Sequence, residues 1–396
     1  MDELLEKSDL LVSRVSTTFK RYLYDQITWN NRLTGIKGPR GTGKTTLLLQ
    51  RLKEIGKSPT QAAYFSLDDL FFTINPLTEV AGDFYKRGGK HLFLDEVHKF
   101  PGWAKQIKNL YDFYPDLQIV FTGSSIIDIA REQGDLSRRS RIYELQGLSY
   151  REYLSFTNKI HLNPFSLKTI LADPATWKSQ FPTDFRPLEH FAKYLELGYY
   201  PFFPEDPEGM ADRIQQLIRT VVEYDMAELH DFDIRNAKKM LQLLYILSTN
   251  VPFKPVLTQL AEKSQIHRNT INNYLHFLEQ ARLIRLLYAG GNSIATLQKP
   301  EKIYLDNTNI AYALSGKEPE KGNLRETFFL SQLATRHAIH YPHHGDFLVD
   351  NRWTFEIGGK NKSKKQIKDT PDSFLVQDDL EYPVSSIPLW LFGFLY

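Results

Sequence analysis

The chain has 396 residues, more than one hydrophobic core usually supports, so we expect two or three domains. Hydrophobic residues (42%) and charged residues (24%) argue against long disordered tracts, and a net charge of +2 favours no class of partner. Cysteine is absent, which excludes disulfides and thiolate metal sites. The acidic start does not resemble a signal peptide, and no run reaches the ~20 apolar residues of a membrane helix. We therefore expect a cytoplasmic protein without a membrane partner.

The first part of the chain alternates helix-like and strand-like segments. Apolar residues spaced three or four apart predict a helix over residues 1–30. This alternation predicts an α/β fold in which helices cover both faces of a parallel sheet. The strand-like runs lie at 32–37, 62–67, 91–94, 117–122 and 141–146.

A phosphate-binding pattern directly follows the first of these strands. G-x-x-x-x-G-K-[ST] is matched by Gly38, Gly43, Lys44 and Thr45, and an amphipathic helix follows. The glycines allow backbone N–H groups to converge on phosphate oxygens, Lys44 reaches the β- and γ-phosphates, and Thr45 binds Mg²⁺. The residues predicted to bind ATP are Gly38, Pro39, Arg40, Gly41, Thr42, Gly43, Lys44, Thr45 and Thr46.

Two carboxylates follow the apolar strand at 91–94. Asp95, at the end of the strand, is predicted to hold the Mg²⁺ shell in the manner of a Walker B motif. Glu96 is then placed to polarise a water for attack on the γ-phosphate. The pair predicts a P-loop NTPase that hydrolyses ATP rather than one that only binds it.

Hydroxyl residues end the strand at 117–122. Thr122 and Ser124 are candidates for sensing the γ-phosphate or the attacking water. Alternatively, Ser124 and Ser125 cap the helix that follows. A cluster of Arg138, Arg139 and Arg141 comes next, and an arginine here could stabilise charge on the transferring phosphoryl group, in its own subunit or a neighbouring one.

Four regions are predicted along the chain. Residues 1–155 form the P-loop ATPase domain, and residues 156–235, punctuated by prolines, form a helical linker or lid. Residues 236–300 contain three helices and a hairpin with a Gly-Gly turn, which is the order of a winged helix. Residues 301–396 form a C-terminal α/β domain.

The motifs together resemble an AAA+-type ATPase. More narrowly, they are similar to a bacterial and archaeal family of predicted ATPases that carry a C-terminal domain of unknown function. GPRGTGKTT (38–46), DEVHKFPGWAKQIKNLYD (95–112), IVFTGSS (119–125) and LQGLSYREYL (145–154) carry the likeness. Arg139 matches the family arginine, although Arg138 replaces the usual glycine before it. Trp103, Lys108 and Asp112 also match the family pattern.

A looser resemblance extends nearly to the end of the chain, through KPEKIYLDNTNIAYAL (299–314) and NLRETFFLSQL (323–333). It implies a winged helix and a closing segment similar to the restriction-endonuclease-like fold, in which Glu326, Asp346 and Glu356 are the candidate acids. Gly358 stands where the catalytic lysine of an E-x-K pair would be, so we expect a degenerate fold rather than a working nuclease.

Other polar clusters admit two interpretations. The third winged-helix helix carries Arg268, Asn269 and Thr270, residue types that read DNA, but winged helices also serve only for packing. The lysines between 360 and 368 could neutralise phosphates or form a solvated loop. His340, His343 and His344 could hold a metal, but a polar turn is the simpler interpretation.

Several functions remain compatible with these motifs. The leading hypothesis is a Mg²⁺-dependent ATP hydrolase that couples nucleotide state to rearrangement of its C-terminal domains, on DNA or on a protein client, as a monomer or a homo-oligomer. The alternatives are a small-molecule kinase, a nucleotide-gated switch or scaffold with little turnover, and an ATPase serving a nuclease.

Overall fold

The chain divides into two units, Met1–Gln146 and Gly147–Tyr396. The computed structural model describes residues 1–124, 136, 138–172, 175–226, 234–249, 257–290, 300–316, 318–382 and 386–396. Within these ranges, no helix has the length and apolar character needed to cross a membrane.

The first unit contains a five-stranded sheet in the order β2-β3-β4-β1-β5, with every described pairing parallel. The predicted parallel α/β core is thereby confirmed, with β4 lying between the P-loop strand β1 and the Asp95 strand β3. Two 3₁₀ turns lie at Leu70–Thr73 and Val97–Lys99. The other elements of this unit are α1 (Asp2–Arg14), β1 (Leu33–Gly38), α2 (Lys44–Ile55), β2 (Ala62–Ser66), α3 (Leu77–Lys86), β3 (His91–Asp95), α4 (Trp103–Phe113), β4 (Gln118–Ser124) and β5 (Arg141–Glu144).

Both faces of this sheet are buried, because alternate strand residues pack into two separate cores. Leu92 and Leu94 of β3 join α3 and α4 in one core. Phe93, between them, joins α2 in the other. A strand covered on both sides needs apolar residues at successive positions, which explains the unbroken apolar run at residues 92–94 in β3.

The helix predicted over residues 1–30 ends at Arg14. Side chains of α2 take the carbonyl groups that a longer helix would need: the Lys53 ammonium bonds the carbonyls of Ser13 and Val15 at 2.9 and 2.8 Å. Gln50 does the same for Ser16 and Phe19, each at 2.8 Å. The segment after Arg14 therefore has no regular secondary structure and is hydrogen-bonded to side chains of α2. The prediction of one long helix over residues 1–30 was wrong.

The second unit is helical in its first part. Its α-helices up to residue 280 are α5 (Tyr150–Phe156), α6 (Leu167–Leu171), α7 (Ala175–Lys178), α8 (Pro187–Leu197), α9 (Met210–Thr220), α10 (Ala237–Ser248), α11 (Leu257–Ser264) and α12 (Arg268–Gln280). A π-helix, Val221–Asp225, continues directly from α9. Helices thus occur in each of the three segments predicted for the winged helix. The side chains of Arg268 and Asn269 lie outside the described residues.

Two sheets complete the second unit. β6 (Ile284–Leu287) pairs antiparallel with β7 (Lys302–Leu305), so this sheet spans the domain boundary predicted at residue 300. The second strand of the predicted hairpin, around 294–297, lies outside the described residues. Five strands form the other sheet in the order β12-β11-β10-β9-β8, antiparallel from β8 to β10 and parallel beyond. The remaining α-helices and strands are α13 (Thr308–Ser315), α14 (Lys321–Leu333), β8 (Ile339–His340), β9 (Phe347–Val349), β10 (Trp353–Gly358), β11 (Ser373–Gln377) and β12 (Ile387–Pro388). Two 3₁₀ segments, Lys364–Ile367 and Leu389–Phe394, also lie in this part.

Candidate nucleotide site and a second carboxylate cluster

The predicted phosphate loop connects the end of β1 to the start of α2. Gly41 and Gly43 adopt φ of 79° and 92°, in the left-handed region that favours glycine. Gly38 lies so close to the carbonyl of Leu145 that a side chain there would collide with it. The loop therefore brings its backbone to the N-terminus of α2, where free N–H groups and the helix dipole favour an anion.

Lys44 is held inside this loop. Its side chain is buried, and its ammonium donates to the carbonyls of Gly38 and Pro39, both at 2.9 Å. The Thr42 hydroxyl also donates to the Pro39 carbonyl at 2.9 Å. Loop carbonyls thus keep the lysine charge at the position where the motif needs it.

Asp95 is the centre of a buried hydroxyl network. Its carboxylate is 2% exposed and accepts from Thr45 at 2.6 Å, from Tyr64 at 2.8 Å and from Thr122. Burial, followed by the charge of Asp95, raises the pKa of Tyr64, which therefore remains a neutral donor. Neither Tyr64 nor its contact with Asp95 was predicted. The sequence does not reveal that Ser66 of β2 lies opposite Asp95, which sets this register.

The Thr45 and Asp95 oxygens fit Mg²⁺. The ion prefers oxygen ligands and usually takes only one or two carboxylates, completing its shell with water and phosphate. The described part of the chain contains no cluster of three or more His, Asp or Glu residues arranged to hold a metal. The hydroxyl–carboxylate pair lies directly beside the phosphate loop, as the motif predicts.

Glu96 has an unusual backbone conformation. Its φ of 52° and ψ of 42° lie in the left-handed region, which is costly for a residue other than glycine. The Glu96 N–H donates to the Thr122 hydroxyl at 3.3 Å, and its carboxylate lies 3.3 Å from Nε2 of His98. Such backbone strain persists only where the surrounding structure enforces it, and strained residues of this kind cluster at functional sites.

The two candidate sensors lie on β4, beside β1. Thr122 touches both Asp95 and the Glu96 backbone, whereas Ser124 is buried opposite Gly38. Ser125 and the helix predicted after it lie outside the described residues, so the capping alternative stays a prediction.

Arg139 lies away from these residues. It forms a two-pronged ion pair with Asp112, at 2.9 and 3.2 Å. The strand after it, β5, begins at Arg141, which lies opposite Thr34 near the start of β1. The phosphate loop follows Gly38, at the other end of β1. At the usual rise per residue of a strand, Thr34 and Gly38 lie ~13 Å apart along β1. The structure therefore does not bring Arg139 to the phosphate loop of its own chain.

Arg21 is a residue of the site that sequence reasoning missed. It is 5% exposed, and its guanidinium donates to the carbonyl of Thr42 in the phosphate loop and to that of Gln146 at 2.7 Å. Gln146 is the last residue of the first unit. Nothing in the local pattern around Arg21 distinguishes it from an exposed arginine, because both its acceptors are backbone groups distant in sequence.

Arg21→Ala is expected to lower the free energy of unfolding by about 2–4 kcal/mol, because two buried carbonyls lose a charged donor. Urea unfolding of the purified chain measures this loss, and Arg14→Ala, at the exposed end of α1, is the control. A loss below about 0.5 kcal/mol would show that Arg21 does not stabilise the loop.

Comparisons with known proteins agree with this geometry. Residues 30–154 match the family described as "AAA domain", and residues 188–321 match a domain of unknown function, DUF8612. Residues 30–154 are homologous to AAA-type nucleotide-binding domains. This likeness covers the phosphate loop, Asp95 and Glu96 together.

Two relatives come from Methanocaldococcus jannaschii. The uncharacterized protein MJ1637 is 28% identical over 76% of this chain and 67% of its own length. The uncharacterized protein MJ1544 is 25% identical over 85% of this chain and 74% of its own length. Neither name states an activity.

Solved structures give looser matches. AMPPCP-bound DnaA from Aquifex aeolicus is 16% identical, covering 65% of this chain and 84% of that one, with a TM-score of 0.25. The S. cerevisiae Hsp104–ADP complex is 17% identical, covering 70% and 41%, with a TM-score of 0.30. Scores this low carry no structural argument.

The second unit contains the other predicted carboxylate cluster. The Lys302 ammonium lies 3.0 Å from Glu326 and 3.3 Å from Asp346, and Tyr304 donates to Glu326 at 2.7 Å. Burial, reinforced by Asp346, raises the pKa of Glu326. Burial also lowers the pKa of Lys302, but the two carboxylates outweigh this effect and raise it.

Glu356 completes this cluster from β10. It is buried and paired with Lys362, whose side chain occupies the space that a side chain at Gly358 would need. Burial raises the Glu356 pKa, and the charges of Asp346 and Glu326 add to this rise. The three candidate acids thus lie close enough to interact, but lysines neutralise them.

Lys302→Met is expected to lower the free energy of unfolding by about 3–5 kcal/mol, because Glu326 and Asp346 lose their shared cation while buried. Adding Glu326→Gln should recover part of the loss, and urea unfolding of both variants measures it. If the single change cost less than about 1 kcal/mol, the ion pairs would not stabilise the unit.

Proposed function

We propose that the chain is a Mg²⁺-dependent ATP hydrolase. The proposal rests on one hydrogen-bond network. The Asp95 carboxylate accepts from Thr45 of the phosphate loop and from Thr122 of the neighbouring strand, and Thr122 also accepts from the strained Glu96 backbone. This network supports the proposal, because it links the residues assigned to phosphate and Mg²⁺ binding with the residue assigned to polarise the water.

Each residue then has one task. The loop N–H groups, the α2 dipole and Lys44 bind the β- and γ-phosphates. Thr45 and Asp95 would hold Mg²⁺, which neutralises charge that develops on the phosphate oxygens when it is bound. The Glu96 carboxylate orients a water in line with the γ-phosphate and accepts its proton. Thr122, which donates to the Asp95 carboxylate and accepts from the Glu96 backbone N–H, and Ser124 sense the γ-phosphate from the end of β4.

We further propose that the loop couples to the second unit through Arg21. A phosphate that draws Lys44 from the carbonyls of Gly38 and Pro39 changes the loop to which Arg21 is bonded. Arg21 also holds the carbonyl of Gln146, after which the second unit begins. Movement of the loop is thus passed to the junction at residues 146 and 147.

The position of Arg139 favours a role between subunits over a role in its own site. In a homo-oligomer that places Arg139 of one subunit against the phosphate loop of the next, this arginine would act in the neighbouring subunit's site. DNA contact through α12 is a separate proposal, which rests on its polar residues alone.

Phosphate release from MgATP without any acceptor tests the proposed hydrolysis. Inorganic phosphate should appear in excess over protein, and removal of Mg²⁺ should stop its release. Transfer that requires an added small-molecule acceptor would instead identify a kinase, against which Glu96 already argues.

A further inference from the structure

A lysine-rich loop in the second unit lies outside the nucleotide site. Residues 360–369 carry five lysines and one aspartate, and Lys364–Ile367 form a 3₁₀ turn. One lysine, Lys362, points inward to Glu356. The other four are exposed, and no ion pair engages them in the described part of the chain: Lys360, Lys364, Lys365 and Lys368.

The loop has a fixed backbone. The side-chain amide of Gln377 donates to the carbonyls of Gly359, Lys360 and Lys362, at 3.3, 2.9 and 3.0 Å. Ile367 is fully buried, and its carbonyl accepts from the Ser373 hydroxyl at 3.0 Å. The lysines therefore project from a pre-organised support, which lowers the entropy lost when they bind a partner.

Nearby acidic groups are engaged by other cations. Arg325 holds Asp378 at 2.9 Å and reaches Asp379 at 3.6 Å, while Arg352 holds Asp372 at 3.1 Å. Glu356 is paired inside with Lys362. The positive field of the four exposed lysines is consequently reduced mainly by Asp369.

We propose that this lysine loop binds the phosphodiester backbone of a nucleic acid. Lysine is a compact point charge suited to phosphate, and contacts of this kind position a protein without reading sequence. An acidic protein partner would require exposed apolar or aromatic residues at the centre of the interface. The loop has none, because its one large apolar residue, Ile367, is buried. This surface is independent of the ATPase proposal.

Lys364→Glu with Lys365→Glu tests the proposal in the full chain. Binding of short labelled duplex DNA, single-stranded DNA and RNA is followed over a salt series. Wild type is expected to bind at low salt, and the double variant to bind at least about tenfold more weakly, with a salt slope smaller by about two. Comparing the three ligands shows which backbone is preferred.

The matched control is Lys86→Glu with Lys105→Glu, exposed lysines of α3 and α4 that give the same charge change in the first unit. Control and wild type should bind nucleic acid equally, and phosphate release from ATP should be unchanged in both double variants. If Lys364→Glu with Lys365→Glu fails to fold, Lys364→Gln with Lys365→Gln replaces it. Unchanged binding, equal weakening in the control, or equally tight binding of polyglutamate would overturn the proposal.

Discussion

Glu96→Gln is expected to leave ATP binding intact and to lower phosphate release at least about a hundredfold, the usual contribution of a positioned general base. Glutamine keeps the size and hydrogen-bonding reach of the side chain, but it cannot accept the proton of the attacking water. The neighbouring Asp95 network, which includes Thr45 and Thr122, remains intact. Binding and chemistry should therefore separate.

The measurement compares the ATP dissociation constant with the rate of phosphate release on the same sample. Glu79→Gln is the control, an exposed carboxylate on α3 that undergoes the same chemical change. It should match wild type in both quantities. A Glu96→Gln protein that hydrolyses ATP within about threefold of wild type would assign the base to another residue.

Lys44→Met is expected to weaken ATP binding at least about a hundredfold, because each charge-assisted bond to phosphate contributes about 1.5–3 kcal/mol. Methionine retains most of the buried aliphatic stem, so the loss isolates the ammonium group. The same ammonium bonds the carbonyls of Gly38 and Pro39, and some loss of loop stability is expected as well.

Lys53→Met separates these two effects. Lys53 lies on the same helix and also donates to two backbone carbonyls, but at the far end from the phosphate loop. Its replacement should lower stability and leave the ATP dissociation constant unchanged. Equal ATP affinity in wild type and Lys44→Met, measured by calorimetry, would contradict a phosphate-binding role for the loop.

Local patterns were enough to predict the sheet and its phosphate loop. Unbroken apolar runs such as residues 92–94 indicate strands buried on both faces. The glycines of the loop mark backbone conformations that other residues rarely adopt. Thr45 and Asp95, assigned from spacing alone, lie 2.6 Å apart.

Features set by distant contacts could not be predicted. Helix α1 ends at Arg14, where side chains of α2 begin to bind the carbonyls that follow it, those of Val15, Ser16 and Phe19. Tyr64 reaches Asp95 through strand register, and Arg21 is recognisable only once Thr42 and Gln146 are both near it. The distance of Arg139 from the loop follows from the pairing of β5 with β1, which the order of motifs does not specify.

Single-turnover conversion of ATP on the wild-type chain tests the central claim most directly. Protein in excess is mixed with labelled ATP and Mg²⁺, and bound ATP, ADP and phosphate are followed over time. The site built from Lys44, Thr45, Asp95 and Glu96 predicts that bound ATP becomes ADP and free phosphate, with conversion at least about a hundredfold slower in Glu96→Gln. ATP that stays bound and intact in wild type would contradict hydrolysis and identify a nucleotide-gated switch.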